Sequence, residues 1–167
     1  IQAGGANLAV AFDGGTQRTM LDGRDVSRDI RTEEAGSAAS AVSRYRAVRA
    51  WLVALQREIA ARQSMVIDGR DIGTVVLPGA GVKIFLTASP EVRAQRRLKQ
   101  LEQAGRQAAY EAVLSDLKAR DDQDTRRAAD PLRQAADAVL LDTTNLSFDE
   151  AVDAVLRMVE EQYGTTG

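Results

Sequence analysis

Three short apolar runs, separated by segments with helical start signals, place the strongest constraint on how this chain folds. The runs are Met65–Ile67, Val82–Leu86 and Ala138–Leu141, and each has the length and composition of a buried strand in a parallel sheet. Ser89-Pro90-Glu91 and Ser147–Glu150 carry helix-capping patterns, the first with a proline after the N-cap and the second as a capping box. Strands that alternate with helices predict βαβ units, so we expect an α/β fold with a parallel sheet and flanking helices.

The first third of the chain has a different pattern. Apolar and polar residues alternate over Asn7–Phe12, and turn-forming residues at 13–16 and at Asp22-Gly23 divide the segment into three short strands. Helical patterns follow from near Thr32 and over about 44–61. This part is therefore predicted to be an antiparallel meander followed by two helices.

Two of the predicted helices carry an apolar face. On the longer early helix, the apolar residues recur at helical spacing: Val48, Trp51, Leu52, Leu55 and Ile59. On the terminal helix, the residues expected to point inward are Val152, Val155, Leu156 and Val159. We predict two parts, with residues 1–62 as a small insert and 63–167 as the main core.

The amino-acid composition excludes several kinds of site and partner. The 167 residues include no Cys and no His, which rules out a Cys nucleophile, a Ser-His-Asp triad, a disulfide framework and the usual zinc ligands. With 22 basic and 24 acidic residues the net charge is −2, so no overall basic field favours nucleic acid. The apolar runs are shorter than the roughly 20 residues that cross a bilayer. We expect no nucleic-acid and no membrane partner, and the lack of Cys agrees with a cytoplasmic location.

A dense group of charges follows the first apolar run. Asp68-Gly69-Arg70-Asp71 lies at the carboxyl end of a predicted strand, which is the edge of an open α/β sheet where ligands bind. Asp-Gly is also a common turn pair, so a purely structural turn is the alternative. Two acids and an Arg beside a Gly are more than a turn requires, which makes Arg70 and Asp71 candidate binding residues.

A second group lies in a predicted helix. Arg120, Asp124 and Arg127 are spaced by four and three residues, so their side chains project from one helix face. Two guanidinium groups with a carboxylate between them can hold phosphate oxygens and sugar hydroxyls. The same spacing is typical of a solvated ladder of ion pairs, which is the alternative in this charge-rich segment. A third and weaker candidate combines Arg49 with Ser40, whose small Ala neighbours would let a flat ligand approach.

In their order along the chain, these segments resemble the bacterial cytidylate kinases, which are nucleoside monophosphate kinases of the P-loop class. The resemblance runs through nearly the whole chain and rests on the following stretches: Ile30-Arg31-Thr32 with Ala38-Ala39-Ser40, Val48-Arg49, Asp68 to Val76, Val82 to Leu86 with Ala88-Ser89, and Arg120-Asp121 with Asp124 and Arg127. It implies a P-loop NTPase-like sheet with an antiparallel nucleotide-binding insert. It also implies transfer of the γ-phosphoryl group of ATP to CMP or dCMP with Mg²⁺, giving CDP or dCDP.

The resemblance implies roles for individual residues. The cytosine-reading residues are Ser40, Arg49 and Asp71. A carboxylate suits the cytosine N4 amino donor, and Arg or a hydroxyl suits the O2 and N3 acceptors. The residues that hold the phosphates and form the catalytic set are Arg70, Arg120 and Arg127. Asp124 is implied to bind the ribose hydroxyls.

The same resemblance implies an ATP lid. Arg93, Arg96 and Arg97 begin a segment near 93–110 that is similar to the part of the family that closes over ATP and excludes water. Asp68 is implied to support Mg²⁺ through water, with a structural hydrogen-bonding role as the alternative.

The sequence departs from the family at the P-loop. The family's signature is a glycine-rich loop ending in Gly-Lys-Gly-Thr, which cradles the ATP phosphates at a helix N-terminus, and this sequence contains no Gly-Lys pair. We expect the loop to be absent, together with the core strand that the family places between those near Met65 and Val82. The chain alone is then expected to be marginally stable and inactive, because two buried strands lose a ladder partner. The alternative is a non-catalytic module that binds cytidine nucleotides, and the complete protein is expected to be a monomer.

Overall fold

The chain forms two compact units, Ile1–Ser64 and Met65–Gly167. The computed structural model describes residues 6–43, 45–62, 64–126 and 131–164. No helix in these ranges is both long enough and apolar enough to cross a membrane. The division after Ser64 lies close to the boundary predicted after residue 62. The roles expected for the two parts, a nucleotide-binding insert and a kinase core, stay predictions.

The first unit begins with an antiparallel meander. β1 (Leu8–Asp13) pairs with β2 (Thr16–Leu21), which pairs in turn with β3 (Arg24–Asp25). The two connections are Gly14-Gly15 and Asp22-Gly23, and all four residues have φ between 50° and 81°. Two consecutive positive φ angles are the conformation of type I′ hairpin turns, whose twist matches that of the strands they join. The small antiparallel sheet expected from the sequence is therefore present.

Two helices complete this unit. α1 (Glu33–Ser43) follows a short 3₁₀ turn, and the hydroxyl of Thr32 accepts from the backbone N–H of Ala35 in its first turn. α2 (Arg46–Ala60) is in contact with α1. The members of its predicted apolar stripe are all half-buried: Val48, Trp51, Leu52, Leu55 and Ile59.

The second unit is built on two parallel strands and three helices. β4 (Ile84–Thr87) pairs in parallel with β5 (Val139–Asp142). The connection between them contains α3 (Pro90–Gln103) and α4 (Tyr110–Thr125), which pack against each other, and α5 (Phe148–Tyr163) follows β5. This arrangement confirms the predicted α/β class with a parallel sheet and flanking helices.

The helix starts follow the capping patterns of the sequence. The Ser89 hydroxyl accepts from the backbone N–H of Val92 at the start of α3. At the start of α5, Ser147 and Glu150 form the reciprocal hydrogen bonds of a capping box. The Ser89 N–H also donates to Oγ1 of Thr144 at 2.9 Å, which ties α3 to the loop after β5. The serine caps therefore fix where α3 begins after β4 and where α5 begins after β5.

The prediction of a third buried strand was wrong. Residues 65–67 form no strand, and Val66 is 96% exposed. A strand needs a neighbour to satisfy its amide and carbonyl groups, and the only parallel partner of β4 within the described ranges is β5. The apolar composition of residues 65–67 therefore does not lead to a strand in this chain.

The inward face predicted for α5 was also partly wrong. Val155 and Val159 are half-buried, whereas Val152 is 39% exposed and Leu156 is 53% exposed. Two short parallel strands offer a narrow surface, so only part of the apolar face of α5 is covered. Leu140 on β5 is likewise 55% exposed.

Candidate functional site

A hollow of about 650 Å³ lies beside β4 in the second unit. Its walls come from residues 67–74, from β4 with its flanking residues, from side chains on α3 and α4, and from residues between 132 and 143. The charged side chains in these walls are Asp68, Arg70, Asp71, Lys83, Arg93, Arg96, Asp121 and Arg133. Three of the five basic groups are paired with carboxylates: Arg70 with Asp124, Lys83 with Asp137 and Arg93 with Asp121. The wall therefore offers both hydrogen-bond donors and acceptors to a polar ligand.

The segment that carries Arg70 and Asp71 has an unusual backbone. A Cβ at Gly69 would lie 2.8 Å from Cγ1 of Ile72, so a larger residue there would displace that side chain. Ile72–Val76 then forms a π-type turn, in which the Val76 N–H donates to the Asp71 carbonyl five residues earlier. Single π-type turns occur frequently at functional sites. The turn starts directly after Asp71, a half-buried residue in the wall of the hollow.

Arg70 is held by a carboxylate from α4. Its Nε donates to Oδ2 of Asp124 at 3.0 Å. The Asp124 side chain is 8% exposed, whereas that of Arg70 is 52% exposed. Arg70 belongs to the wall of the hollow, and Asp124 is not among the wall residues that the structure describes. A ligand in the hollow therefore meets the Arg70 guanidinium in front of the Asp124 carboxylate.

Arg93 connects α3 to α4. Its Nη1 and Nη2 donate to the two carboxylate oxygens of Asp121 at 2.7 and 2.9 Å. The hydrogen bond to Asp121 is the main cause that raises the pKa of Arg93 above its ordinary value. The pairing of Asp121 with Arg93 could not be predicted from the sequence, because two residues 28 positions apart leave no local sequence signal.

Arg96 and Arg97 have different surroundings. Arg96 donates to Oγ1 and the carbonyl of Thr143, at 3.1 and 2.6 Å, and to the carbonyl of Leu146 at 3.0 Å. These bonds satisfy backbone groups in the loop after β5. Arg97 is exposed, and its guanidinium has no hydrogen bond or ion pair within the part of the chain that the structure describes. The predicted lid arginines therefore differ in how free their guanidinium groups are.

Lys83 is a buried cation that the sequence analysis did not select. Its ammonium group donates to the carbonyl of Pro78 and to the carboxylate of Asp137, and its side chain is 6% exposed. The bond from Lys83 is the main cause that lowers the pKa of Asp137. A Cβ at Gly73 would lie 3.4 Å from Cδ of Lys83, so the stem of this side chain supports the wall segment. The signal in the sequence was a lone Lys inside the apolar run Val82–Leu86, directly before β4.

The remaining predicted residues lie elsewhere. Arg120 is exposed on α4 and is not among the described residues that line the hollow. Arg49 is half-buried on α2, in the first unit. Ser40 lies on α1, but its side chain is outside the described part, as is the whole of Arg127. The structure therefore brings Arg70, Asp71 and Asp124 close together in the second unit.

Comparison with known proteins connects this arrangement to one family. The family model for cytidylate kinase matches residues 6–161. The cytidylate kinase of Thermosipho melanesiensis is 48% identical over 155 residues, which cover 93% of this chain and 70% of the relative. That of Nocardia farcinica is 50% identical over 159 residues, covering 95% of this chain and 68% of the relative. That of Paraburkholderia phymatum is 55% identical over 138 residues, covering 83% of this chain and 60% of the relative.

The extent of these matches decides the family. They reach across both compact units and include the predicted site residues from Ser40 to Arg127 within the range of the family model. Identity near one half over most of the chain goes well beyond agreement in a few short motifs. The chain belongs to the cytidylate kinase family.

Proposed function

We propose that the active enzyme, in which these residues are combined with a phosphate-binding loop, transfers the γ-phosphoryl group of ATP to CMP or dCMP, giving ADP and CDP or dCDP. The observation that carries the proposal is the hollow beside β4, where Arg70 and Asp71 lie next to each other in the wall. A guanidinium binds phosphate oxygens in a fork geometry, and a carboxylate accepts from an exocyclic amino group. The name cytidylate kinase shared by the relatives supports the same substrate.

The proposed reaction depends on positioning and on neutralisation of charge. An oxygen of the CMP phosphate attacks the γ-phosphorus of ATP, the bond from that phosphorus to the β–γ bridging oxygen breaks, and ADP leaves. The attacking oxygen is already ionised at neutral pH, so the chemistry needs neither the His nor the Cys that the sequence lacks. Arg70, Arg120 and Arg127 are proposed to hold the phosphates in line and to neutralise the charge on their outer oxygens.

The same proposal assigns base recognition to Ser40, Arg49 and Asp71. Cytosine presents an amino donor at N4 and acceptors at N3 and O2, and uracil reverses the polarity at positions 3 and 4. A carboxylate at Asp71 is therefore matched to cytosine and mismatched to the carbonyl of uracil. Such a mismatch corresponds to roughly 1–3 kcal/mol of discrimination.

The walls of the hollow fit a Mg²⁺ ion carried by the substrate phosphates. Among the described residues, no group of three or more acidic side chains could hold a metal ion by itself. Mg²⁺ in phosphoryl-transfer sites usually keeps several waters and takes one or two carboxylates plus phosphate oxygens. Asp68, an exposed acid in the wall, is proposed to hold such an ion through water. Such an ion would supply positive charge that neutralises the charge developing on the phosphate oxygens.

The 167-residue chain alone is proposed to bind CMP without turning it over. The sequence contains no Gly-Lys pair that could form the phosphate-binding loop of P-loop kinases. Within residues 6–43, 45–62, 64–126 and 131–164, β4 pairs with β5 alone, and an apolar strand edge without a partner favours aggregation, which supports marginal stability as well. A coupled kinase assay on this chain is expected to show no CMP-dependent consumption of ATP, and clear turnover would contradict the proposal.

Base recognition is tested by Asp71→Asn. Titration calorimetry with CMP and with UMP is expected to show at least a tenfold preference for CMP in the parent chain, and most of this preference should disappear in the variant. The matched control is Asp116→Asn on the exposed face of α4, which makes the same change in charge and should keep the preference. Equal CMP preference in the parent and in Asp71→Asn would remove Asp71 from the base-reading set.

A further inference from the structure

We propose that Arg133 is a further phosphate-binding residue of the hollow beside β4, where its guanidinium contacts the phosphate of the bound nucleotide. The inference rests on the proposed function for the identity of that nucleotide as CMP. Arg133 lies in the loop between α4 and β5, is exposed and belongs to the wall of the hollow. The sequence analysis assigned it no role, because a single Arg outside any helix or strand forms no spacing pattern.

The partners of the five basic side chains in the hollow carry the first step. Three of the five donate to a carboxylate, and Arg96 donates to oxygens in the loop after β5. Arg133 alone among them has no hydrogen bond or ion pair with the described part of the chain. A ligand that binds Arg133 therefore replaces only water, whereas an anion that binds a paired cation also comes close to the carboxylate beside it.

The charge of a phosphate carries the second step. A phosphate monoester has nearly two negative charges at neutral pH. Arg70, which is proposed to bind the phosphate, already shares its positive charge with Asp124. A second guanidinium without a carboxylate partner supplies the charge that this pair lacks. Its planar fork can also donate two parallel hydrogen bonds to phosphate oxygens.

The placement of the loop that carries Arg133 provides the third step. A Cβ at Gly73 would lie 3.8 Å from the Cβ of Ala135, so residues 132–138 pack against the wall segment 67–74. Both segments line the same hollow. The proposal requires the long side chain of Arg133 to extend along this shared wall to the phosphate.

Hydrogen bonds on both sides fix the backbone that carries Arg133. The Leu132 N–H donates to the carbonyl of Asp124 at 2.9 Å, and the side-chain amide of Gln134 donates to the carbonyl of Ala138 at 2.6 Å. Binding of a ligand at Arg133 therefore orders one side chain and leaves the loop unchanged. The entropic cost of the contact is small for that reason.

A substitution series with two ligands tests the contact. We expect Arg133→Gln to weaken CMP binding roughly fivefold in titration calorimetry, because a charged hydrogen bond at an exposed position is lost. Arg133→Lys should recover part of that loss, since it keeps the charge without the fork. Binding of cytidine, which lacks the phosphate, should stay the same in both variants. An unchanged CMP affinity in Arg133→Gln, or an equal loss for cytidine, would overturn the proposal.

The matched control for this series is Arg157→Gln on α5. Arg157 is also exposed and has no hydrogen bond or ion pair with the described part of the chain, but it does not line the hollow. The substitution makes the same change in net charge and should leave CMP affinity unchanged. An equal loss in both variants would show that only the overall charge of the chain matters, which would contradict a contact at Arg133.

An NMR titration separates this proposal from the proposed function. The carbon-13 signal of the Arg133 guanidinium carbon, identified by its loss in Arg133→Gln, should shift on addition of CMP or of inorganic pyrophosphate and stay in place with cytidine. If the chain binds CMP and this signal does not shift, the Arg133 contact is wrong while the proposed function stands. If pyrophosphate shifts the signal and CMP does not bind at all, the result counts against the proposed function alone. A lack of response to all three ligands would overturn both.

Discussion

The side-chain contacts inside the first unit join residues that are close in sequence, whereas those inside the second unit join residues that are far apart in sequence. In the meander, the ion pairs of Arg18 with Asp13 and Asp25 join residues five and seven positions apart. In the second unit, Arg70–Asp124 and Lys83–Asp137 each join residues 54 positions apart. Closing a long loop costs more entropy than closing a short one, so the contacts of the second unit form only when much of that unit is already in place. Local signals can therefore build the first unit, whereas the second depends on side chains that bridge distant segments.

The largest expected change in the free energy of unfolding comes from Lys83, whose contacts bridge distant segments of the second unit. Lys83→Ala removes a buried stem and the donor to Pro78 and Asp137, and we expect a loss of about 2–4 kcal/mol in the free energy of unfolding. Urea unfolding followed by far-ultraviolet circular dichroism measures it. Lys99→Ala, an exposed position on α3, is the matched control and should change stability by less than about 0.5 kcal/mol. Equal effects of the two substitutions would mean that the long-range Lys83 contacts do not hold the unit together.

A pair of valines tests where the core of the second unit lies. Val76 is 2% exposed and Val66 is 96% exposed. Val76→Ala removes two buried methyl groups and should cost about 1.5–2 kcal/mol. Val66→Ala should stay within about 0.5 kcal/mol of the parent in the same urea experiment. A large loss at Val66 would instead indicate that residues 65–67 form the buried strand that the sequence pattern predicted.

That strand shows what the sequence could not predict. The run at 65–67 and the run that becomes β5 are both short and wholly apolar, so periodicity alone cannot separate them. The difference is a bonding partner, because β5 has β4 beside it and residues 65–67 have no strand beside them in the described part. The exposed Leu156 on α5 has a related cause, since burial depends on the surface opposite the helix. The features that were predictable are local, such as the turns at 13–16 and Asp22-Gly23 and the serine caps of α3 and α5.

The candidate site divides in the same way. The charge cluster at 68–71 was expected at the end of a strand over 65–67, and that strand does not form. Residues 68–71 nevertheless line the hollow beside β4. The partners of this cluster could not be predicted, since the bond from Arg70 to Asp124 leaves no periodic signal. Lys83 was missed for the same reason, because an apolar strand containing one Lys does not reveal which carboxylate will reach it. Sequence patterns therefore located the charges, and only the tertiary structure shows which of them are bonded.

In the meander, the turn at Asp22-Gly23 tests how much a local contact contributes to stability. Gly23 has φ of +81°, a left-handed conformation that costs an L-residue roughly 1–2 kcal/mol. Gly23→Ala should therefore destabilise the first unit by about that amount. Gly36→Ala on α1 meets open space and should stabilise it by about 0.5–1 kcal/mol. Fluorescence of Trp51, the one Trp in the chain, follows the urea unfolding of this unit. If Gly23→Ala and Gly36→Ala changed the free energy of unfolding in the same direction, the left-handed conformation at Gly23 would not be what limits stability there.

The smallest expected effect on stability is the pH dependence caused by Asp25, which accepts hydrogen bonds from Ser27 and Arg18. The hydroxyl and the backbone N–H of Ser27 and the guanidinium of Arg18 lower the pKa of Asp25 to about 2, with the Ser27 hydroxyl as the largest cause. Because the pKa is lowered on folding, the carboxylate stabilises the meander fully above its ordinary value of about 3.9. That contribution is lost as the pH falls towards 2. Carbon-13 NMR of the side-chain carboxyl should give a midpoint near 2 in the parent chain. Ser27→Ala should raise this midpoint more than Arg18→Gln does. The opposite order would mean that the ion pair, and not the adjacent hydroxyl, dominates even in the most local part of the fold.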